Sequence, residues 1–415
     1  MNREMRYSGI EWIGEIPKEW ILARFKYSGC FIKGKLPASQ NNEYKGFPII
    51  GASEMLGKEP RLYTEDSNIP MCSDEDILIL WDGANAGIIA NKCQGIVSST
   101  AVKYSCTDKR FNKQYMFYLL KNAEPFFKSK VGGTTIPHMN TKYIDEYLCI
   151  LPPLIEQRKI ANYLDMICGE VDELTALQEM MIEELKDYKQ SVIIEAVTKG
   201  LNLNVPMKNS GIDWIGEIPV HWSLHQFRRL FEIKKIIAGA LGYDVLSVTQ
   251  NGIKVKDLSK NEGQIAQDYS KYQIVDVDDY VMNHMDLLTG YVDCSKQVGV
   301  TSPDYRVFRA IDKTQISLSY YLKIFQTCYK EKIFYHLGQG VSGMGRWRLP
   351  ADQLKLFYIP MPPLNEQQSI ASYLDEKCSE IDKLIGVKQQ KIEKLKDYKK
   401  SIIYEAVTGK INIDS

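Results

Sequence analysis

The sequence predicts an α+β protein in which two globular domains are joined by two long antiparallel α-helices. The helices form a coiled-coil spacer, and the layout carries a pseudo-twofold internal repeat. Three observations predict this. Three motifs occur twice, in the same order, along 415 residues. Two long segments lack helix breakers and space their apolar residues as heptads. Between the motifs lie two blocks of short β-rich runs. The length alone favours two or three domains.

The repeat is explicit. Ser8–Trp20 reads SGIEWIGEIPKEW and Ser210–Trp222 reads SGIDWIGEIPVHW, identical at ten of thirteen positions. Leu151–Asp165, LPPLIEQRKIANYLD, returns as Met361–Asp375, MPPLNEQQSIASYLD. Glu184–Lys199, ELKDYKQSVIIEAVTK, returns as Lys394–Lys410, KLKDYKKSIIYEAVTGK. The first pair is offset by 202 residues and the other two by 210. Such a period is too long for a solenoid and means tandem domains. The expected boundaries are a first globular domain over 1–153 (opening motif 7–20), a first spacer helix over 154–200, a second globular domain over 201–363 (opening motif 209–222), and a second spacer helix with tail over 364–415. Trp12, Trp20, Trp214 and Trp222 recur in both opening motifs and read as structural, since a residue needed in both halves cannot carry their difference.

From Glu156 to Val197 there is one glycine, Gly169, and no proline. Ile160, Leu164, Ile167, Val171, Leu174, Leu185 and Tyr188 follow four-three spacing, interrupted at Gln178. The second segment, Glu366 to Val407, offers Ile370, Leu374, Ile381, Leu384, Leu395 and Tyr398. Lysines occupy several of its middle seam positions, with Cys378, Ile385 and Ile392 alongside, so a drifting seam is expected there. A helix of about 40 residues runs about 60 Å and needs another rod to pack on. Acidic Asp165, Glu170, Asp172 and Glu173 in the first segment suit Lys394, Lys396, Lys399 and Lys400 in an antiparallel pair. Double prolines at 152–153 and 362–363 precede the helices, with Asn365 as expected N-cap, and Gly200 and Gly409 as stops.

The blocks at about 21–150 and 223–360 barely resemble each other. Strands are expected at Asp76–Leu80, Gly87–Ala90, Ala101–Tyr104, Tyr243–Val248 and Gln273–Val277, and helices at Gln114–Asn122 and Ser319–Thr327. Lys+Arg and Asp+Glu both total 52, yet the distribution is uneven. The blocks hold 16 basic against 13 acidic residues and 18 against 14, while 154–199 holds 5 against 10. Mildly basic blocks suit phosphate contact, which acts locally. Each block ends in a Gly-rich loop, VGGTTIPHMNT over Val131–Thr141 and LGQGVSGMGRWR over Leu337–Arg348. Glycine lets backbone approach a surface; Ser, Thr, Asn and Gln suit phosphates and base edges, and Arg suits guanine. The candidates are Thr134, Thr135, His138 and Asn140, then Gln339, Ser342, Arg346 and Arg348, with Trp347 against sugar or in the core. Trp81–Gly87, with Asn85, and Asn283–Tyr291, with Asn283, form a second pair of candidate regions. Lys33, Lys35, Lys234 and Lys235 are candidate phosphate contacts.

Other chemistry finds little support. Nine scattered cysteines include no CxxC pair and read as reduced thiols, mostly in the core. The five histidines show no metal spacing, and P-loop and HExxH motifs are absent. The double prolines read LPPL and MPPL, without the Asn or Asp and the aromatic that an amino-group methyltransferase needs around them. The N-terminal stretch has no apolar core and no run suits a membrane, so a cytoplasmic protein without bound cofactor or metal is expected.

Together, SGIxWIGEIPxxW opening each half, [LM]PPLxEQxxIAxYLD opening each long helix and the KDYKxSxIxEAVT run closing it resemble the specificity subunit of type I restriction–modification systems. The resemblance covers essentially the whole chain. It implies two target recognition domains, each binding half of an asymmetric bipartite site in double-stranded DNA, with the paired helices setting the gap. It implies two methyltransferase subunits as partners, and motor-nuclease subunits beside them. S-adenosylmethionine, ATP and magnesium would sit on those partners only, and methylation would fall at adenine N6. The competing readings are a specificity subunit of a type II-like or orphan methyltransferase system, an enzyme in its own right, and a coiled-coil scaffold that does not touch DNA.

Overall fold

The computed structural model describes residues 3–10, 13–132, 137–140, 142–202, 204–256, 269–340 and 347–413. The chain divides into two compact units, Met1–Glu179 with Gln389–Ser415, and Met180–Lys388. Each is therefore completed by a stretch of helix from the other repeat.

In the first unit the opening motif forms a hairpin, Met5–Tyr7 against Glu15–Pro17. It ends in Trp20, which is fully buried and donates from Nε1 to Glu156 Oε2 at 2.9 Å. Ile21–Arg24 then pairs antiparallel with Leu148–Leu151, tying the two ends of the block together. Within the block, a four-stranded sheet has the order Gly29–Lys33, Ala101–Cys106, Ile77–Leu80, Ile89–Ala90, antiparallel throughout. A second sheet orders Tyr63–Thr64, Phe47–Ile50, Gly95–Val97 and Met71–Cys72. The helix Lys113–Asn122 begins where the Asn112 side chain accepts the Tyr115 N–H, an N-cap that satisfies one of the free first-turn donors. Its buried face, including Tyr115, Met116 and Leu119, joins Phe25, Tyr104 and Phe127 in the main core.

The second unit rebuilds this plan from different residues. Met207–Asn209 pairs with Glu217–Pro219, and Ser223–Gln226 with Tyr358–Met361. Trp222 is buried and donates to Glu366 Oε2 at 2.9 Å. The sheet order is Phe231–Lys234, Arg306–Ala310, Tyr280–Met282, Val292–Cys294, again antiparallel. The helix Leu318–Lys330 is capped by Ser317. Two further antiparallel pairs are Leu246–Thr249 with Gly252–Val255 and Gln273–Val275 with Gly299–Thr301. Blocks with little common sequence thus share one scaffold.

The long helices span Leu154–Lys199 and Leu364–Thr408. Asn365 lies inside the first turn of the second, not at its cap; the Pro363 carbonyl accepts the Glu366 and Gln367 N–H groups instead. Gly200 and Gly409 end the helices with φ of +75° and +73°, a left-handed conformation that suits glycine. Each unit shows antiparallel pairing on its own. In the first, Ile160, Leu164 and Cys168 share a core with Ile402, Ala406 and Val407, and Lys399 reaches Asp172 at 2.6 Å. In the second, Ile193 and Val197 share a core with Ile370, Leu374 and Cys378, and Lys189 reaches Asp382 at 2.7 Å.

The seam is rotated from its expected position. Ile160, Leu164, Val171, Ile370, Leu374 and Ile381 are buried, and Leu185 and Leu395 are half-buried. Ile167 is only half-buried, while Leu174, Tyr188, Leu384 and Tyr398 are exposed. Alongside the buried seam residues, the covered strip takes in buried Cys168, Gln178, Ile182, Cys378 and Ile392 and half-buried Thr175, Lys189, Ile385 and Lys399. The strip mixes small, polar and branched apolar side chains, and Leu174, Tyr188, Leu384 and Tyr398 stand beside it. Thr175 Oγ1 donates to the Val171 carbonyl at 2.8 Å, so it enters the strip without an unpaired hydroxyl. The second helix does not drift: its strip keeps one phase, the first helix's phase displaced by 210 residues.

Candidate nucleic-acid interface

In each block two candidate regions meet. In the first, the Trp81–Gly87 turn leaves the strand Ile77–Leu80, and residues 137–140 lie against it. Met139 N–H donates to the Trp81 carbonyl at 3.0 Å and Gly83 N–H to the Pro137 carbonyl at 2.9 Å. Met139 is fully buried and anchors the loop, leaving His138 and Asn140 exposed on either side. In the second block, Leu349 N–H donates to the His284 carbonyl at 2.9 Å and Leu287 N–H to the Trp347 carbonyl at 3.1 Å. Leu349 is the buried anchor there, with Arg348 exposed beside it.

Asp82 organises the first surface. It receives Lys33 Nζ at 2.8 Å on one oxygen and pairs with His138 Nδ1 through the other. Partial burial pushes its pKa up, but the bonds from Lys33 and His138 outweigh this and leave it below the usual carboxylate range. The Lys33 ammonium also lies 6.0 Å from the Trp81 ring centroid. Lys35 and Asn85 are exposed nearby in sequence, and Asn85 closes its turn by accepting the Ile88 N–H at 3.3 Å. The Asn140 side chain accepts the Lys142 N–H at 2.9 Å, so one of its acceptors serves the start of the helix Lys142–Glu146. Sequence reasoning missed Asp82; a carboxylate beside a glycine at the start of the Trp81–Gly87 turn was the available signal.

The second surface is built differently. Gln339 and Arg348 are exposed and pair backbone to backbone at 2.9 and 3.0 Å, closing the loop at its base. Asn283 is half-buried, and its side chain accepts the Met285 N–H at 3.3 Å. Trp347 is half-buried, with its ring 4.6 Å from that of Tyr335. Lys235 is exposed, but Lys234 is not a surface lysine. It is 6% exposed, and its ammonium is held by Asp276 and Asp279, each at 2.6 Å. The two carboxylates account for its burial, since a charged group leaves water only when it is paired. Beneath the loop, Arg306 is buried and donates to the Leu349 carbonyl at 3.1 Å; burial lowers its pKa to about 10. His284 is buried beside it and is pushed down to about 3, by burial first and then by Arg306 and Arg348. Thr134, Thr135, Ser342 and Arg346, with Trp12, lie outside the described residues.

The nine cysteines are unpaired, five of them buried, three half-buried and Cys30 exposed. Among the described residues no group of His, Cys, Asp and Glu is placed to hold a metal ion, and no helix is long and apolar enough to cross a membrane.

Comparison with known proteins gives a consistent set of similarities. A family model described as the type I restriction modification DNA specificity domain matches twice, over residues 25–186 and 234–397. The MjaVIII type I restriction enzyme specificity subunit of Methanocaldococcus jannaschii is 28% identical over 418 residues, covering 96% of this chain and 94% of that one. The EcoBI specificity subunit of Escherichia coli is 21% identical, covering 89% and 81%. A chain from a solved structure concerned with assembly and conformational transition of the type I R-M system aligns with a TM-score of 0.68. It covers 95% of this chain and 99% of that one at 16% identity, a likeness of fold.

Proposed function

The chain belongs to the type I restriction–modification DNA specificity family, and from that premise we propose that its blocks each read one half of an asymmetric, interrupted site in double-stranded DNA. One observation carries the reading. The same four-stranded scaffold, with the same anchored loop against the same turn, presents different side chains in the two units. One offers Lys33, Asp82, Asn85 and His138. The other offers Lys235, Gln339 and Arg348 over a buried Arg306. A common frame with different contents reads different sequences. Exposed Arg and Gln suit hydrogen bonds to base edges, and lysines fix the phosphates.

On this reading the chain selects the DNA and partner subunits perform the chemistry. Two methyltransferase subunits, carrying S-adenosylmethionine, would modify one adenine N6 on each strand, each taking its base out of the stack. Motor-nuclease subunits, with ATP and magnesium, would join for cleavage. The paired helices carry the repeated motifs and are the natural docking surface for partners common to both halves. Methylation-sensitive sequencing of the host with and without the gene tests this. One interrupted motif, methylated once per strand, should disappear with the gene; an unchanged methylation pattern in an expressing host would refute it.

A further inference from the structure

The second unit contains a cleft of about 580 Å³ where the helix Leu318–Lys330 approaches the two long helices. Lys189, Lys323, Lys330 and Lys383 line it, with Asp375 and Asp382. The carboxylates are committed: Asp375 to Lys323 at 2.8 Å, and Asp382 to Lys189 at 2.7 Å through both oxygens. Lys330 and Lys383 are exposed and remain as surplus positive charge. The pKa of Lys330 is lowered, first by partial burial of its side chain and then by Lys189, with Asp382 acting the other way.

The cleft adjoins the candidate reading surface of the same unit. Tyr291, which lines it, ends the turn that begins at Asn283, and its carbonyl accepts the Asn283 N–H at 2.9 Å. Tyr329, one residue before Lys330, donates its hydroxyl to the Asn283 carbonyl at 2.9 Å.

The internal repeat supplies a control. In the first unit Tyr118 stands where Lys323 does and reaches Asp165, the equivalent of Asp375, at 2.7 Å. The equivalent helix, Lys113–Asn122, ends before the position of Lys330, and Glu173 replaces Lys383. The same scaffold is therefore acidic in one copy and basic in the other, so a role in folding common to both copies does not account for the lysines.

We propose that this cleft is a DNA-backbone site of the second unit, taking a phosphodiester of the duplex flanking the bases read by the Asn283–Tyr291 turn. The proposal rests on the DNA-reading function above and adds to it an asymmetry: one half-site is held by an extra sequence-independent anchor. Lys330 and Lys383 supply the free charges, and Lys189 and Lys323 border them.

The test uses the chain assembled with its methyltransferase subunits and a fluorescent duplex of arbitrary sequence, titrated over a range of salt. Each phosphate contact contributes about 0.9 to the slope of log affinity against log salt. The double variant Lys330→Gln, Lys383→Glu should lower that slope by about 1–2 and weaken binding about tenfold or more at low salt, with the methylated motif unchanged in the host. Lys394→Glu, outside the cleft and matching the change at Lys383, should leave the slope within half a contact of wild type (about 0.5). An unchanged slope in the double variant overturns the proposal. Loss of methyltransferase binding by the variant in size-exclusion chromatography also overturns it, and reassigns the cleft to an acidic protein segment. Failure of the wild-type complex to bind duplex DNA overturns the underlying reading instead.

Discussion

Lys189 grips both carboxylate oxygens of Asp382 at 2.7 Å, and the internal repeat makes the same bond again as Lys399 on Asp172 at 2.6 Å. One ion pair per unit thus fixes how the two long helices register there. Both pairs are partly exposed, with the aspartates the more open partners, so each is worth at most about 1 kcal/mol. Asp382→Lys should therefore lower the thermal midpoint modestly, and adding Lys189→Asp should recover most of the loss. Full additivity of the two changes would show that the pair does not couple.

The phase of that seam was the part of the fold least legible in sequence. Leu174, Tyr188, Leu384 and Tyr398 fit an apolar heptad, yet they flank the strip that Cys168, Thr175, Gln178 and Cys378 occupy. Apolar spacing locates a stripe to within one residue, about 100° of rotation, so a neighbouring column can be the one that turns inward. The repeated motifs, by contrast, made the paired helices and twin domains legible, because Trp20 and Trp222 meet Glu156 and Glu366 in the same way in both copies. Of the candidate lysines, Lys33, Lys35 and Lys235 are exposed, whereas Lys234 is buried, a facing that the sequence did not reveal. Asp82 became visible only when folding brought Lys33 and His138 to it.

Trp222 joins the opening motif to the second long helix through Glu366, which also receives His221 at 2.7 Å. Trp222→Phe keeps most of the buried surface but removes the indole donor. The loss should be about 1–2 kcal/mol, typical of a hydrogen bond to a charged group whose partner keeps a second contact. Urea unfolding checks it, and a change below about 0.5 kcal/mol would mean the bond contributes little.

Asp82 holds Lys33 and His138 together, so Asp82→Asn should free both side chains and remove one negative charge from the surface. Binding to arbitrary duplex should be unchanged or tighter, while preference for the methylated motif falls roughly tenfold, equal to about 1.4 kcal/mol of discrimination. Competition between motif and non-motif duplexes measures this. Retained preference would remove Asp82 from the reading surface.

His284 ties stability of the second unit to pH. Its pKa falls from 6.5 to about 3 on folding, so the unfolded chain binds its proton more readily between those values. Stability from this group is complete above pH 6.5 and declines as pH drops towards 3, by about 1.4 kcal/mol per unit at most. His284→Leu should flatten that part of the profile relative to wild type. Parallel profiles for the two proteins from pH 7 to 4 would show that His284 is not the source.

The central claim is that two blocks on one scaffold read two different half-sites independently. Exchanging residues 21–150 for the corresponding block of a related specificity subunit, then sequencing host DNA for methylation, tests it most directly. One half of the interrupted motif should change to the donor's and the other half should stay as it was. A motif altered in both halves, or in neither with methylation intact, would contradict the account.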